Sequence, residues 1–273
     1  FVAKTTSNQL MELKGPRKLA LTTAFDFDAA RACELGGIDI IVTWPQHNEN
    51  MDELRIVLDQ VRKGAPNVLI GAGIPRYEAY VSETDAVRCA WQAIKAGADL
   101  IYSSGMEHSK FKALARERIP FVGHVGYIPA HNTWFGGPRG VGKTSAEAMQ
   151  VYEDTLAFQE MGAVAVEMEC VPARVAEEIS RRVDLLVFSM GSGAGCDGQF
   201  LFSCDIWGTH DRHYPRHAKK YRDFFTEGVA AMQEYRQDVV TAASPTDAHA
   251  LHDRDEEFGR WRAGLEPAGG EMG

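Results

Sequence analysis

Residues 163–190 read AVAVEMECVPARVAEEISRRVDLLVFSM, and this stretch decides the fold. AVAVEME and DLLVFSM are apolar runs of strand length, while 173–182 between them repeats its apolar residues at i, i+3, i+4, as a helix with one buried face does. Strand, helix and strand make one βα repeat. Further runs of the same kind lie on the N-terminal side: LALTT at 19, IDIIVT at 38, VLIGAG at 68, ADLIYSS at 98 and IPFVGH at 119. Segments of helical period separate them, at 26–36, 51–63, 83–96, 109–117 and 145–161, the last with Val151, Leu156 and Phe158 beside Glu153 and Asp154. On the C-terminal side QFLFSC, 199–204, supplies an eighth strand. Strands apolar on both faces suit a parallel sheet covered by helices, and so many units in about 210 residues favour closure, so the expected class is α/β, a (β/α)8 TIM barrel. The barrel is expected over 1–240 with a helix at about 216–236 as a C-terminal extension, and the Ala-, Gly-, Pro- and acid-rich 241–273 as a tail or oligomerisation arm.

Composition narrows the function. The chain has 273 residues, 45% hydrophobic and 25% charged, which excludes collagen, disorder and a disulfide miniprotein. No run of about 18 apolar residues occurs, and FVAKTTSNQLMELKGPRKLA lacks the apolar core of a signal peptide, so a cytoplasmic protein without a membrane span is expected. The charge, 29 − 38 = −9, comes with scattered basic residues, which argues against nucleic acid as a partner. Five cysteines without a C-x-x-C pair support neither a zinc ribbon nor a disulfide framework.

In a barrel of this kind chemistry gathers where strands end, here at Trp44, Gly73, Ser103, His124, Glu169 and Ser189 onward. Glu169 closes its strand with the carboxylate towards the mouth, where a shortage of water suits acid or base use; Glu167 shares its face, and either could instead be an ion-pair partner. His124 also ends a strand and serves as a proton carrier or as a histidine satisfied by backbone carbonyls. GSGAGCDG, 191–198, follows the seventh strand, where barrels commonly bind an anion through backbone N–H groups; Gly191 and Gly193 then touch substrate, or the glycines form a tight turn and Asp197 caps it.

GPRGVGKT, 137–144, satisfies the P-loop pattern, with Lys143 placed to reach phosphates. Its context argues against nucleotide hydrolysis, because the nearest strand ends at His124, over ten residues earlier. His213 and His217 have chelating spacing, but Pro215 interrupts the turn, and a surface cluster with Arg212, Arg216, Lys219 and Lys220 is the alternative.

Taken together, KLALTTAFDFDAARACELGGIDIIV, RKGAPNVLI, IPFVGHVGYIP, GGPRGVGKT, EMECVPARVAEEI and MGSGAGCDGQFLF with YPRHAKKY resemble the ketopantoate hydroxymethyltransferase family over roughly 18–225. The resemblance implies a barrel of the phosphoenolpyruvate mutase and isocitrate lyase superfamily. It also implies a cyclic homo-oligomer, and it explains the P-loop look-alike as a family segment. In the family, magnesium held by two aspartates and a glutamate chelates a 2-oxo acid and stabilises the enolate formed when a glutamate assists removal of the C3 proton. That glutamate matches Glu169 in ECVP. The family's first aspartate and following serine are replaced by Pro45 and Gln46, the second aspartate by Gly73, and the metal-binding glutamate by Tyr102 or a neighbouring serine. Losing three carboxylates removes the charge that favours magnesium, so no metal ligand is assigned and magnesium is not expected.

The expected function is carbon–carbon bond making or breaking beside a carbonyl or acidic carbon, by one-carbon transfer or a lyase step, on a small molecule. Glu169, His124 and Lys143 are the catalytic candidates, with Arg139 or the glycine-loop amides as further stabilisers of an enolate. Trp44, Tyr102 and Trp134 either shape the pocket for a larger or aromatic substrate or plug space left by a shortened loop. Methylene-tetrahydrofolate is the candidate one-carbon donor. The alternative is a noncatalytic barrel that binds a ligand.

Overall fold

The computed structural model describes residues 5–265. Eight parallel strands close into a barrel in sequence order: β1 (Leu19–Thr23), β2 (Ile40–Thr43), β3 (Leu69–Ala72), β4 (Leu100–Tyr102), β5 (Phe121–Gly126), β6 (Ala165–Glu169), β7 (Leu186–Met190) and β8 (Gly198–Leu201). The closing pair runs from Leu19↔Gly198 to Thr22↔Leu201. The (β/α)8 architecture is therefore as the sequence implied.

Before the first strand stands α1 (Ser7–Met11), and the main outer helices are α2 (Phe27–Leu35), α3 (Met51–Gly64), the short α4 (Arg76–Ala79) with α5 (Glu83–Ala96), α6 (His108–Arg116), the short α7 (Asn132–Phe135) with α8 (Ser145–Glu160), and α9 (Ala173–Arg182). Their starts follow capping chemistry: Asp26, Asn50, Ser82 and Thr144 each accept a backbone N–H of the first turn. The last strand-to-strand connection departs from the repeat. Residues 191–197 join β7 to β8 without a helix, and α10 (Ser203–Trp207) follows β8.

Side-chain alternation divides the apolar residues into two cores. Ile41, Ile70, Ile101, Val125, Val166 and Val187 face the helices, whereas Leu21, Val42, Leu100, Val122, Leu186 and Phe188 fill the barrel. Leu10 of α1, 1% exposed, belongs to the inner set beside Leu19. Near the start of β8, Asp197 accepts from Lys14 at 2.6 Å, Ser180 at 3.0 Å and the Val187 N–H at 2.9 Å. Asp197 is thus a structural acid tying the chain's start to the end of α9 and the core of β7.

The chain divides into two compact units after Arg222, earlier than the expected boundary at 240. The reason is local: 216–223 is irregular after Pro215, and α11 runs from Phe224 to Thr241 with Asp223 capping Thr226, instead of 216–236. No residue of α11 is buried. The second unit also holds α12 (Asp255–Ala263), so the expected tail contains a helix, and its last residues, 266–273, lie outside those described. Among the described residues no helix is long and apolar enough to cross a membrane.

Candidate active site

The inward-facing phase of the strands changes character near their C-terminal ends. Below it is Leu, Ile, Val and Phe; above it come Tyr102 of β4, His124 of β5, and Glu167 and Glu169 of β6. These four line one cavity of about 360 Å³, together with Trp44, Gly73, Phe200 and Phe202. Its volume suits a small organic ligand.

The β5–β6 side carries the ionisable groups. His124 Nε2 lies 3.0 Å from the Tyr127 carbonyl and 3.2 Å from Glu169 Oε2, so one N–H reaches both acceptors. Gly126 sets this approach. Its φ of +85° is left-handed, and a Cβ there would stand 2.4 Å from the Glu169 carbonyl. The next residue, Tyr127, donates its N–H to that same carbonyl at 2.9 Å. Ser192 braces the other edge, giving its hydroxyl to the Met168 carbonyl and accepting the Val171 N–H.

Burial opposes charge on His124, but Glu167 and then Glu169 outweigh it, and the imidazole is held above its ordinary pKa. Glu167 is 5% exposed. Its carboxyl is pushed up by burial, with His124 opposing the rise and Glu169 adding to it. Tyr102 lies 6% exposed, and burial followed by the Glu167 charge raises its phenol well above the ordinary value. Among the described residues, His124 Nδ1 is buried without a hydrogen-bond partner, and the Tyr102 hydroxyl is buried beside Glu167 without a well-formed hydrogen bond.

The opposite wall is aromatic. Ring centroids step from Phe25 to Trp44 (4.9 Å), Trp44 to Phe202 (5.7 Å), Phe202 to Phe200 (5.6 Å) and Phe200 to Tyr102 (5.8 Å). Pro45 and Gly73 stand among them at the ends of β2 and β3, and a Cβ on Gly73 would lie 3.0 Å from Trp44 Cβ. Arg76, Glu49, Asp205 and His217 complete the rim.

Of the residues selected from sequence, Glu169, His124, Trp44, Gly73 and Tyr102 meet in this cavity. Others do not. Ser103 and Ser189 fall on the opposite side-chain phase: Ser189 accepts the Ser192 N–H, and Ser104 takes the lining position expected of Ser103. Gly191, at φ +72°, backs onto His217, while Gly193 packs against Ala173 and gives its carbonyl to Gln199. Trp134 is 90% exposed and does not line the cavity.

The P-loop look-alike is filled by its own chain. Glu147 accepts the Gly142 and Lys143 N–H groups at 3.1 and 3.0 Å and pairs with Arg139 at 2.9 Å, so the amides that would cradle phosphate hold a carboxylate. Lys143 lines a separate surface groove, which places both basic residues away from the mouth.

Sequence reasoning missed Arg76, Glu49, Asp205 and the pair Phe200 and Phe202. The strand-end rule, applied a few residues beyond β2, β3 and β8, was the signal for them. Among the described residues two groups bring three donor atoms within 4.8 Å of one another, His124 with Glu167 and Glu169, and Cys204 with Asp205 and His210. Either offers the N, O or S donors that divalent ions take. His213 and His217 are not on a common helix.

The sequence pattern described as "Ketopantoate hydroxymethyltransferase" matches residues 4–247. A 3-methyl-2-oxobutanoate hydroxymethyltransferase from Thermotoga sp. (strain RQ2) is 31% identical over 261 residues, covering 91% of this chain and 97% of that protein. One from Acetivibrio thermocellus is 31% identical, covering 90% and 92%. Among solved structures, a phosphoenolpyruvate phosphomutase from Streptomyces platensis subsp. rosaceus superposes with TM-score 0.55 at 13% identity, over 95% of this chain and 96% of that one. A phosphonopyruvate hydrolase superposes with TM-score 0.57 at 12% identity, over 95% and 98%.

Proposed function

From the premise that the chain belongs to the ketopantoate hydroxymethyltransferase family, and is an enzyme of the carbon–carbon transferase or lyase type, we propose that it acts on a 2-oxo acid with a bulky or aromatic C3 substituent, without the family's magnesium site. The observation that carries this is the contact of Glu169 with His124, 3.2 Å apart in a cavity whose other wall is aromatic.

Glu169 is the base that takes the C3 proton of the bound acid, and His124 orients it through the shared N–H. The Arg76 guanidinium on the rim receives the substrate carboxylate. Insertion of a flat or branched side chain against Trp44 and Phe202 fits the apolar wall and excludes water from the developing carbanion. The nucleophilic carbon so formed attacks a one-carbon electrophile, or the reverse step releases one. Methylene-tetrahydrofolate is the candidate donor as a co-substrate, with no residue here assigned to it.

The magnesium of the family does not fit the strand ends where the resemblance would put it. Pro45, Gly73 and Tyr102 offer no carboxylate, and a Cβ at 73 would stand 3.0 Å from Trp44 Cβ; the cavity's carboxylates are Glu49, Glu167, Glu169 and Asp205 instead. No step above passes through a metal.

The test is deuterium exchange at C3, followed by NMR, for 2-oxoisovalerate, 2-oxoisocaproate and phenylpyruvate in D2O with excess chelator. Wild-type exchange above the blank, lost in Glu169→Gln, is the expected result. Exchange only on adding magnesium would restore the family's metal chemistry. Saturable binding of these acids without exchange would favour the noncatalytic barrel.

A further inference from the structure

The cavity leaves one problem of chemistry unassigned. Proton removal from C3 moves the C–H electron pair into a C2–C3 double bond and the C2=O pair onto oxygen, and that oxygen needs a positive partner. In the proposed reading Arg76 is taken by the substrate carboxylate and the His124 N–H by Glu169, so neither is assigned to it. Arg139 is committed to Glu147, Lys143 lies in another groove, and Ser103 is on the outward phase of its strand.

We infer that the Tyr102 hydroxyl is the catalytic donor to the substrate's C2 oxygen. Three observations converge on it. Tyr102 ends β4 on the inward phase and lines the cavity beside Glu167. Its hydroxyl is buried beside the Glu167 carboxyl without a well-formed hydrogen bond to it, so its donor is open to a ligand oxygen in the cavity. Its ring is fixed edge-on to Phe200 at 5.8 Å, so the donor is held in place before substrate arrives. Burial and the Glu167 charge keep the proton on the phenol, so it donates a hydrogen bond to the enolate without being transferred. A carboxylate on this strand end would need a metal ion to serve an oxyanion; a phenol serves it directly.

This inference rests on the proposed 2-oxo acid chemistry, and the test separates the two. Wild type, Tyr102→Phe and Glu169→Gln are compared in the same C3 exchange assay, with kcat and KM determined for the acid that exchanges fastest, and with melting temperatures measured. The expected result is a kcat for Tyr102→Phe about 100-fold below wild type, with KM within about threefold, the signature of a donor used mainly in the transition state. Its melting temperature should stay close to that of wild type, since the lost hydroxyl makes no well-formed hydrogen bond to the neighbouring Glu167. A kcat within about threefold of wild type would overturn the role of Tyr102 and leave the proposed function standing. Absence of wild-type exchange with every acid would overturn both.

Discussion

Replacing Gly126 by alanine tests how Glu169, the proposed base, and His124 are held together. The residue sits at φ +85°, and its Cβ would lie 2.4 Å from the Glu169 carbonyl oxygen and 2.7 Å from Val171 Cγ2. The conformation alone costs an alanine about 1 kcal/mol. Relief of the clash requires the end of β5 to move from β6 by roughly 0.6–1 Å, since Cβ contacts under about 3 Å are not sustained, and this weakens the Tyr127 to Glu169 hydrogen bond, worth about 1 kcal/mol. The sum is a loss of about 2 kcal/mol in urea unfolding. Displacement of this size at the catalytic pair should also lower C3 exchange by about 100-fold. Gly136→Ala is the control, because Gly136 has φ +74° but nothing within 4 Å of its Cβ. It should lose only the conformational part, about 1 kcal/mol, and keep its turnover. Equal losses for the two variants, or an unchanged exchange rate in Gly126→Ala, would refute the claim that close approach of β5 to β6 sets the site.

Arg76→Met should raise KM for a 2-oxo acid by about 10- to 100-fold with a smaller effect on kcat, as expected for a charged anchor of the substrate carboxylate; steady-state exchange kinetics check it. Asp197→Ala strands the Lys14 ammonium, the Ser180 hydroxyl and the Val187 N–H, and should cost about 2–4 kcal/mol in urea unfolding. The Glu147 carboxyl is held below its ordinary 4.5, first by Arg139 and then by the Lys143 N–H, so the stability it confers is present above that value and lost as pH falls through the lower folded-state pKa. The stability gap between wild type and Glu147→Gln, followed by denaturant unfolding, should therefore close on acidification below about pH 4. Burial pushes the Cys196 thiol up to about 12 and the Cys33 thiol up to about 11, so both should resist iodoacetamide in the folded protein at neutral pH and label on unfolding, read by peptide mass spectrometry.

The barrel was legible because its signals are local and repeated: runs such as IDIIVT and DLLVFSM place Ile, Val and Leu on both faces, and α2, α3, α5 and α8 open on a capping side chain. The half of the site on β5 and β6 was legible for the same reason, since Glu169 and His124 are polar residues closing apolar strands. What the strand-end rule lacks is the phase of the final residue. A register difference of one turns Ser103 away and Tyr102 inward, and likewise sets Ser189 apart from Met190. Loops are harder, because their amides find acceptors that spacing does not reveal: GPRGVGKT carries a phosphate-binding pattern, yet Glu147, five residues beyond Gly142, fills the nest. The same argument bears on chemistry. Polar residues in the barrel's inner layer have no solvent to satisfy them, so a buried hydroxyl without a well-formed hydrogen bond, such as that of Tyr102 beside Glu167, is a sharper candidate for ligand contact than any motif in this chain, and the aromatic side chains around it narrow what that ligand can be.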